Sequence, residues 1–155
     1  MHHLRLAAGP ARYAREVEEP LEGIAAADAR LGRAFPLPAA ALPLARWVEV
    51  FTAGPGAEVA WNLDDSRPGS AGRLAIYAGP CPPPERELVA AQPPENVEVE
   101  GCSIRRRRAP LDQAEPSLRP VQELSWSAGG LHLRLTAQGP WEDSALLEIV
   151  ASMIR

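Results

Sequence analysis

Lysine is missing altogether from this 155-residue chain: all 16 basic residues are arginine. Arginine shares GC-rich codons with the abundant alanine, proline and glycine, so the bias is read as the mark of a GC-rich genome and not of a mechanism. A basic surface is missing too. The net charge is −4, whereas phosphate contacts need a positive surface, so nucleic acid is not an expected partner. Long apolar runs are absent. Nothing approaches the roughly 18 consecutive apolar residues of a membrane helix, and residues 1–20 lack the apolar stretch of a signal peptide. Such a chain is expected to be cytoplasmic if it stands alone, and extracytoplasmic if it is cut from a longer exported protein. Histidine occurs only as His2, His3 and His132, and cysteine only as Cys81 and Cys102. Neither has the spacing of a zinc site, so no metal and no other cofactor is expected. The two thiols are either free or joined in a disulfide, and spacing alone leaves both open.

What the chain does hold is enough for one domain spanning residues 1–155. A chain of this length buries roughly 68–70% of its unfolded surface, so no staple is required. Leu, Val, Ile and Phe make up 34 residues and alanine 27. The core is therefore built from small side chains as well as large ones.

Proline, with 17 residues, is most informative where it does not occur. It cannot donate to a strand ladder, so central strands must fall between prolines. Seven proline-free stretches rich in β-formers qualify: 46–52, 58–63, 73–78, 96–100, 102–108, 121–127 and 131–137. The intervening loops carry the prolines, as in Gly54-Pro55-Gly56, Pro82-Pro83-Pro84 and Pro93-Pro94. The spacing predicts an α+β fold with an antiparallel sheet of six to seven strands over 46–137.

Gly129-Gly130 suits a two-residue hairpin turn. It sets Trp126 opposite Leu133 and Leu124 opposite Leu135, and places Glu123, Ser125, Ser127, His132, Arg134 and Thr136 on the other, outward face. A second hairpin at Glu100-Gly101 pairs Val97 with Ile104 and Val99 with Cys102. In its second strand Arg106 and Arg108 fall on the side of Ile104, so that strand is expected to leave the core, or run along an edge, by Arg106. Two helices are expected, a short one over 21–31 and a C-terminal one over 141–154 that covers the apolar face of the sheet. Residues 1–20 are expected to be a mobile N-terminal segment.

Catalytic groups do not converge in the sequence. Ser127 faces His132 across the hairpin, an ordinary cross-strand pair in the absence of a nucleophile-elbow pattern. Asp64 and Asp65 sit before Arg67-Pro68-Gly69 and read as turn chemistry. The sharpest charge feature is Arg105–Arg108, preceded by five glutamates and one arginine between residues 85 and 100. These arginines either present a charged edge to an acidic partner, with Arg105 and Arg107 as binding residues, or are neutralised within the fold. In the first case replacing both leaves the melting temperature unchanged; in the second it does not. Of four tryptophans, Trp61 and Trp126 fall in phase with core residues and Trp141 fits where the last helix meets the sheet. Trp47, beside Glu49 and Phe51, is the candidate for lining a groove.

The order of several segments carries a resemblance. Leu37-Pro38 and Ala41-Leu42-Pro43 come first, then Val97-Glu98-Val99-Glu100-Gly101. Leu124-Ser125-Trp126-Ser127-Ala128-Gly129-Gly130-Leu131-His132-Leu133 follows, and Ser144-Ala145-Leu146-Leu147-Glu148-Ile149-Val150-Ala151-Ser152-Met153 closes the series. Together they resemble a bacterial domain of unknown function found at the extracytoplasmic C-terminal end of anti-sigma factors and in small lipoproteins. The resemblance covers residues 30–154 and implies a proline-rich lead-in, an antiparallel sheet, a Trp-bearing hairpin and a final helix. It brings no catalytic residue. This sequence departs from that pattern in lacking an upstream membrane segment and in the density of proline between 81 and 94. The expected function is non-enzymatic: a ligand- or protein-binding module for sensing or regulation, with another protein as partner. The alternative is a structural or assembly protein acting through a subunit interface.

Overall fold

A computed structural model describes residues 20–43, 45–63, 72–112 and 120–155. His2, His3, Asp64, Asp65 and the N-terminal segment 1–19 lie outside the described residues. The elements are α1 (Ile24–Leu31), β1 (Trp47–Ala53), β2 (Gly56–Asn62), β3 (Arg73–Gly79), β4 (Leu88–Val89), β5 (Glu95–Val99), β6 (Cys102–Ala109), β7 (Leu111–Asp112), β8 (Val121–Ala128), β9 (Leu131–Gln138) and α2 (Asp143–Ile154). The fold is α+β, and all seven proline-free stretches form strands of one antiparallel sheet.

The sheet runs in the order β1-β2-β3-β9-β8-β6-β5. Two meanders, β1-β2-β3 and β5-β6-β8-β9, meet at the central β3–β9 pair, which spans Arg73↔Gln138 to Gly79↔His132. Both predicted hairpins form in the predicted register, with Trp126↔Leu133 and Leu124↔Leu135 in one and Val97↔Ile104 in the other. Gly129 and Gly130 both take positive φ, as a primed two-residue turn requires. At the β1–β2 turn the constraint on glycine is close approach. A Cβ on Gly56 would collide with the Ala78 carbonyl on β3.

One face of the sheet carries the main core. Val59, Ile76, Leu74, Leu135, Leu133, Leu124, Trp126 and Ile104 are buried there against Leu146, Ile149 and Val150 of α2 and Ala27 of α1. The helix α1 ends at Gly32, whose left-handed φ of 74° closes it onto the Asp28 and Ala29 carbonyls. It lies against β1 and β2. Arg30 at its end donates to the Gly54 and Gly56 carbonyls at 2.6 and 2.7 Å, fastening the helix to the β1–β2 turn. The link from α1 to β1 is pinned at Phe35, whose N–H donates to Asp28, and at Ala39, whose N–H donates to Ser152 on α2. The predicted boundaries 21–31 and 141–154 shorten to the ranges above. Gly23, at φ 88°, stands before α1, and Glu142, in extended backbone, before α2.

One finding differs from expectation. The strand β6 neither leaves the core nor forms an edge. It runs between β5 and β8, with Glu95↔Arg106 as the last pair on one side, and beyond it Gln92 donates to the Arg108 carbonyl at 2.9 Å. Arg106 and Arg108 stay on the α2 side because acids meet them there. Arg108 binds Asp143 in the first turn of α2 at 2.7 Å, and Arg106 binds Glu95 at 3.0 Å. Of the two alternatives for the cysteines, the structure has the first: Cys81 and Cys102 are both free thiols. Cys102 packs against the main core, whereas the Cys81 carbonyl accepts from Tyr77 on the opposite face. The sheet separates them.

Trp126 tests the main core directly. It is buried beneath the helices, and Trp126→Ala is expected to cost about 3–5 kcal/mol in denaturant melts. A loss below about 1 kcal/mol would mean that the core does not depend on this ring.

Candidate functional site: the second face of the sheet

Alternation along the strands puts a second set of side chains on the face opposite the helices. Read across the sheet, one row is Phe51, Glu58, Tyr77, Arg134, Ser125, Arg105 and Asn96. The next is Glu49, Ala60, Ala75, Thr136, Glu123 and Arg107. The sequence pattern of alternating polar residues reads as a solvated face. The structure instead buries it: Glu58 and Glu123 are each 4% exposed, Arg134 7% and Thr136 3%.

The cause is the connection from β3 to β5. The strand β3 ends in the middle of the sheet and β5 lies at its far edge, so the intervening chain must cross β9, β8 and β6. It does so as an extended strap over the second face, and the face holds it by its carbonyls. Tyr77 on β3 donates to Cys81 O at 2.7 Å, Arg134 on β9 to Pro84 O at 2.9 Å, and Arg107 on β6 to Arg86 O at 2.9 Å. Further along, β4 and β7 form a separate two-stranded ribbon, Leu88↔Asp112 and Val89↔Leu111.

Beneath the strap the charges form a chain. Arg107 binds Glu123 through Nε and Nη2 at 3.0 and 2.8 Å, and Arg134 approaches the other oxygen of Glu123 at 3.8 Å. The Arg134 guanidinium also stands 6.0 Å from the centre of the Tyr77 ring. Arg105 is paired with Glu85 on the strap at 3.3 Å, both side chains being largely exposed. Burial, followed by the nearby Cys81 and Glu58, raises the Tyr77 phenol above its ordinary pKa, while Arg134 opposes the shift.

The predicted binding residues thus divide. Arg105 and Arg107 share this face, but Arg107 is closed into the buried pair with Glu123, and Arg105 is the one that reaches solvent. Arg106 and Arg108 are on the opposite face. Trp47 is distant from all four in the sheet order, on the outer strand β1, and is 53% exposed. Its indole N–H donates to Glu49 Oε2 at 3.1 Å, an oxygen that also accepts from Asn62 at 2.8 Å. Ser127 and His132 do stand opposite one another, with Oγ and Nδ1 3.2 Å apart at the open end of the second face. Sequence reasoning missed Glu58, Tyr77 and Glu123, and the signal that could have found Glu123 is its position opposite Arg107 once the arginine strand pairs with β8.

Among the described residues no group of three or more His, Cys, Asp or Glu could hold a metal ion, and no helix is long and apolar enough to cross a membrane. Comparison with protein-family models, with curated proteins and with solved structures returns no match to this chain.

Two outcomes follow for the charged chain. Arg107→Leu leaves Glu123 buried with only the longer Arg134 contact, and is expected to cost about 3 kcal/mol or more. Adding Glu123→Leu to it is expected to restore part of the loss, whereas the exposed Arg105→Gln stays within about 1 kcal/mol of wild type. Equal effects of the two arginines in urea melts would contradict the division drawn above.

The raised phenol has a signature in alkali. An acid whose folded pKa exceeds its unfolded value contributes nothing below the unfolded value, near 10 for tyrosine, because it is protonated in both states. Above that pH the unfolded chain ionises first, so stability falls with rising pH until the folded pKa is passed. Lysine, which would titrate in the same range, is absent. Tyr77→Phe is therefore expected to flatten the decline in stability above pH 10, and an unchanged slope would show that the phenol is not held neutral.

Proposed function

We propose that this chain is a non-enzymatic protein-binding module of the sensing or regulatory kind, and that Trp47 with Val48 is where it meets its partner. The observation that carries the reading is the pair of large apolar side chains half exposed at the start of the outer strand, Trp47 at 53% and Val48 at 50%. Trp47 is not loose. Its hydrogen bond to Glu49 fixes the ring before any partner arrives, which lowers the entropy lost on binding. Tryptophan is also among the residues that most often dominate interface energies. The resemblance of residues 30–154 to extracytoplasmic domains of anti-sigma factors supports the same reading. Its alternative, an assembly protein working through a subunit interface, draws on the same side chains, because an outer strand is where sheets of two copies join.

The test compares wild type with Trp47→Ala and Val48→Ser. Proteins captured from cells are identified, and the candidate partner is purified and titrated. Trp47→Ala is expected to weaken binding by roughly thirtyfold, the measure of an interface residue worth about 2 kcal/mol, with the melting temperature unchanged. A purified partner that binds the variant as tightly as wild type overturns the assignment. A stable wild-type dimer that the same variant dissociates, measured by light scattering, selects the assembly reading.

A further inference from the structure

Trp47 stands at the β1 end of the second face and leaves the part over β3, β9, β8 and β6 unexplained. That part is built as if to hold an extended peptide. We infer that it is a recognition surface for a proline-rich segment of a partner protein, and that the chain's own strap occupies it as an internal ligand. Three observations meet here. Donors from three strands, Tyr77, Arg134 and Arg107, each take a backbone carbonyl of the strap, and Arg107 also approaches the Glu85 carboxylate at 3.9 Å. Carbonyl recognition of this kind reads conformation, and Pro82-Pro83-Pro84 supplies the extended one.

The lengths agree. From β3 to β6 is three strand spacings, about 14 Å, and residues 81–86 in a polyproline helix span about 15 Å. The strap lies across the strands, and only its overall span matches theirs.

The internal ligand also fits incompletely. Glu123 Oε2, Arg134 Nε and Thr136 Oγ1 are buried on this face without a hydrogen-bond partner. Glu123 Oε2 keeps only the 3.8 Å approach of Arg134, and the others have no polar partner to offset their burial. The strap cannot shift to reach them, because β3 fixes one of its ends and β5 the other. A segment in trans carries neither tether, so it can settle where its carbonyls and N–H groups meet those atoms. Tethering gives the strap a millimolar-range effective concentration, which keeps the face closed until such a segment appears.

The probe is the capped octapeptide Pro-Ser-Pro-Pro-Pro-Glu-Arg-Glu, titrated into the full chain and into a full-length variant with Pro82→Gly, Pro83→Gly and Pro84→Gly. The variant is expected to bind at least ten times more tightly than wild type, because its own strap has lost the preset extended form. Adding Tyr77→Phe, which deletes one donor and keeps the ring, is expected to weaken that binding about threefold to tenfold. A control peptide with glycine for its three consecutive prolines is expected to bind at least tenfold more weakly. In wild type, millimolar peptide is expected to speed amide hydrogen exchange at residues 85–88, where the strap is lifted. A folded variant that ignores the peptide, or binds the glycine control equally, overturns the inference. If the variant does not fold, the wild-type exchange decides alone, and unchanged rates at millimolar peptide overturn it. A dimer whose strap amides slow on concentration would make a second copy the occupant and overturn the assignment to a partner protein. The outcome is independent of Trp47, so either reading can fail without the other.

Discussion

The pairing of β3 with β9 is the constraint on which the rest of the structure depends. Seven residue pairs, Arg73↔Gln138 to Gly79↔His132, join two meanders that would otherwise be separate small sheets. Because the pairing places β3 at the centre, the chain that follows has to leave over one of the two faces. The helices hold the first face, so the strap takes the second. Burial of Glu123 and Arg134 is thus a consequence of topology before it is a property of those residues.

Covering a polar face requires that its charges be met, and the arginine strand meets them from within the sheet. Alternation along β6 sends Arg105 and Arg107 to the strap side and Arg106 and Arg108 to the side of α2. On each side acids stand ready: Glu85 and Glu123 on one, Glu95 and Asp143 on the other. Four consecutive arginines, which read as a charged edge, in fact tie both layers to one strand inside the sheet. Asp143 adds a favourable placement of its own, since a carboxylate in the first turn of α2 also faces the positive end of the helix dipole.

Much of this fold was legible in the sequence because proline marks where a ladder cannot run, and all seven strands fall between prolines. Register was legible as well. A slip of one residue at Gly129-Gly130 would have exchanged Leu124, Trp126, Leu133 and Leu135 for charged and polar neighbours. Burial of the second face was not legible, since Glu123, Arg134 and Thr136 alternate in the same way whether water or a strap lies above them. Nor did the glutamate-rich stretch before β6 disclose its pairings. The nearest acids in the hairpin, Glu98 and Glu100, lie on the outward side with Arg105, yet Arg105 finds Glu85, and Glu100 is met by Arg155 from the end of α2. Proximity along the chain predicted the sign of the partner and not its identity. Trp47 stood out in the sequence as the tryptophan beside Glu49 and Phe51 that could line a groove, and it is the most exposed large apolar residue described.

The arginines explain why the strap and the face can be held together and still be separable. A guanidinium presents several donors in a rigid fork, so one side chain can serve a carboxylate and a carbonyl at once. Arg107 gives Nε and Nη2 to Glu123 in the sheet, and the same Nη2 to the Arg86 carbonyl above. Arg134 likewise stands between Glu123 and the Pro84 carbonyl. If the strap lifts, each guanidinium keeps its carboxylate, and the buried charges remain balanced. What is lost is two hydrogen bonds from charged donors to carbonyls, at about 1.5–3 kcal/mol each, one from a phenol, at about 0.5–1.5 kcal/mol, and the exposed Arg105–Glu85 pair, at about 1 kcal/mol or less. That sum is a few kcal/mol, set against a sheet whose main core lies on the other side. An ammonium group, a single point of charge, would have to divide itself between the two partners. The pairing of Glu123 with Arg107 and Arg134 is therefore a property of the sheet, and the strap adds Glu85, which meets the exposed Arg105.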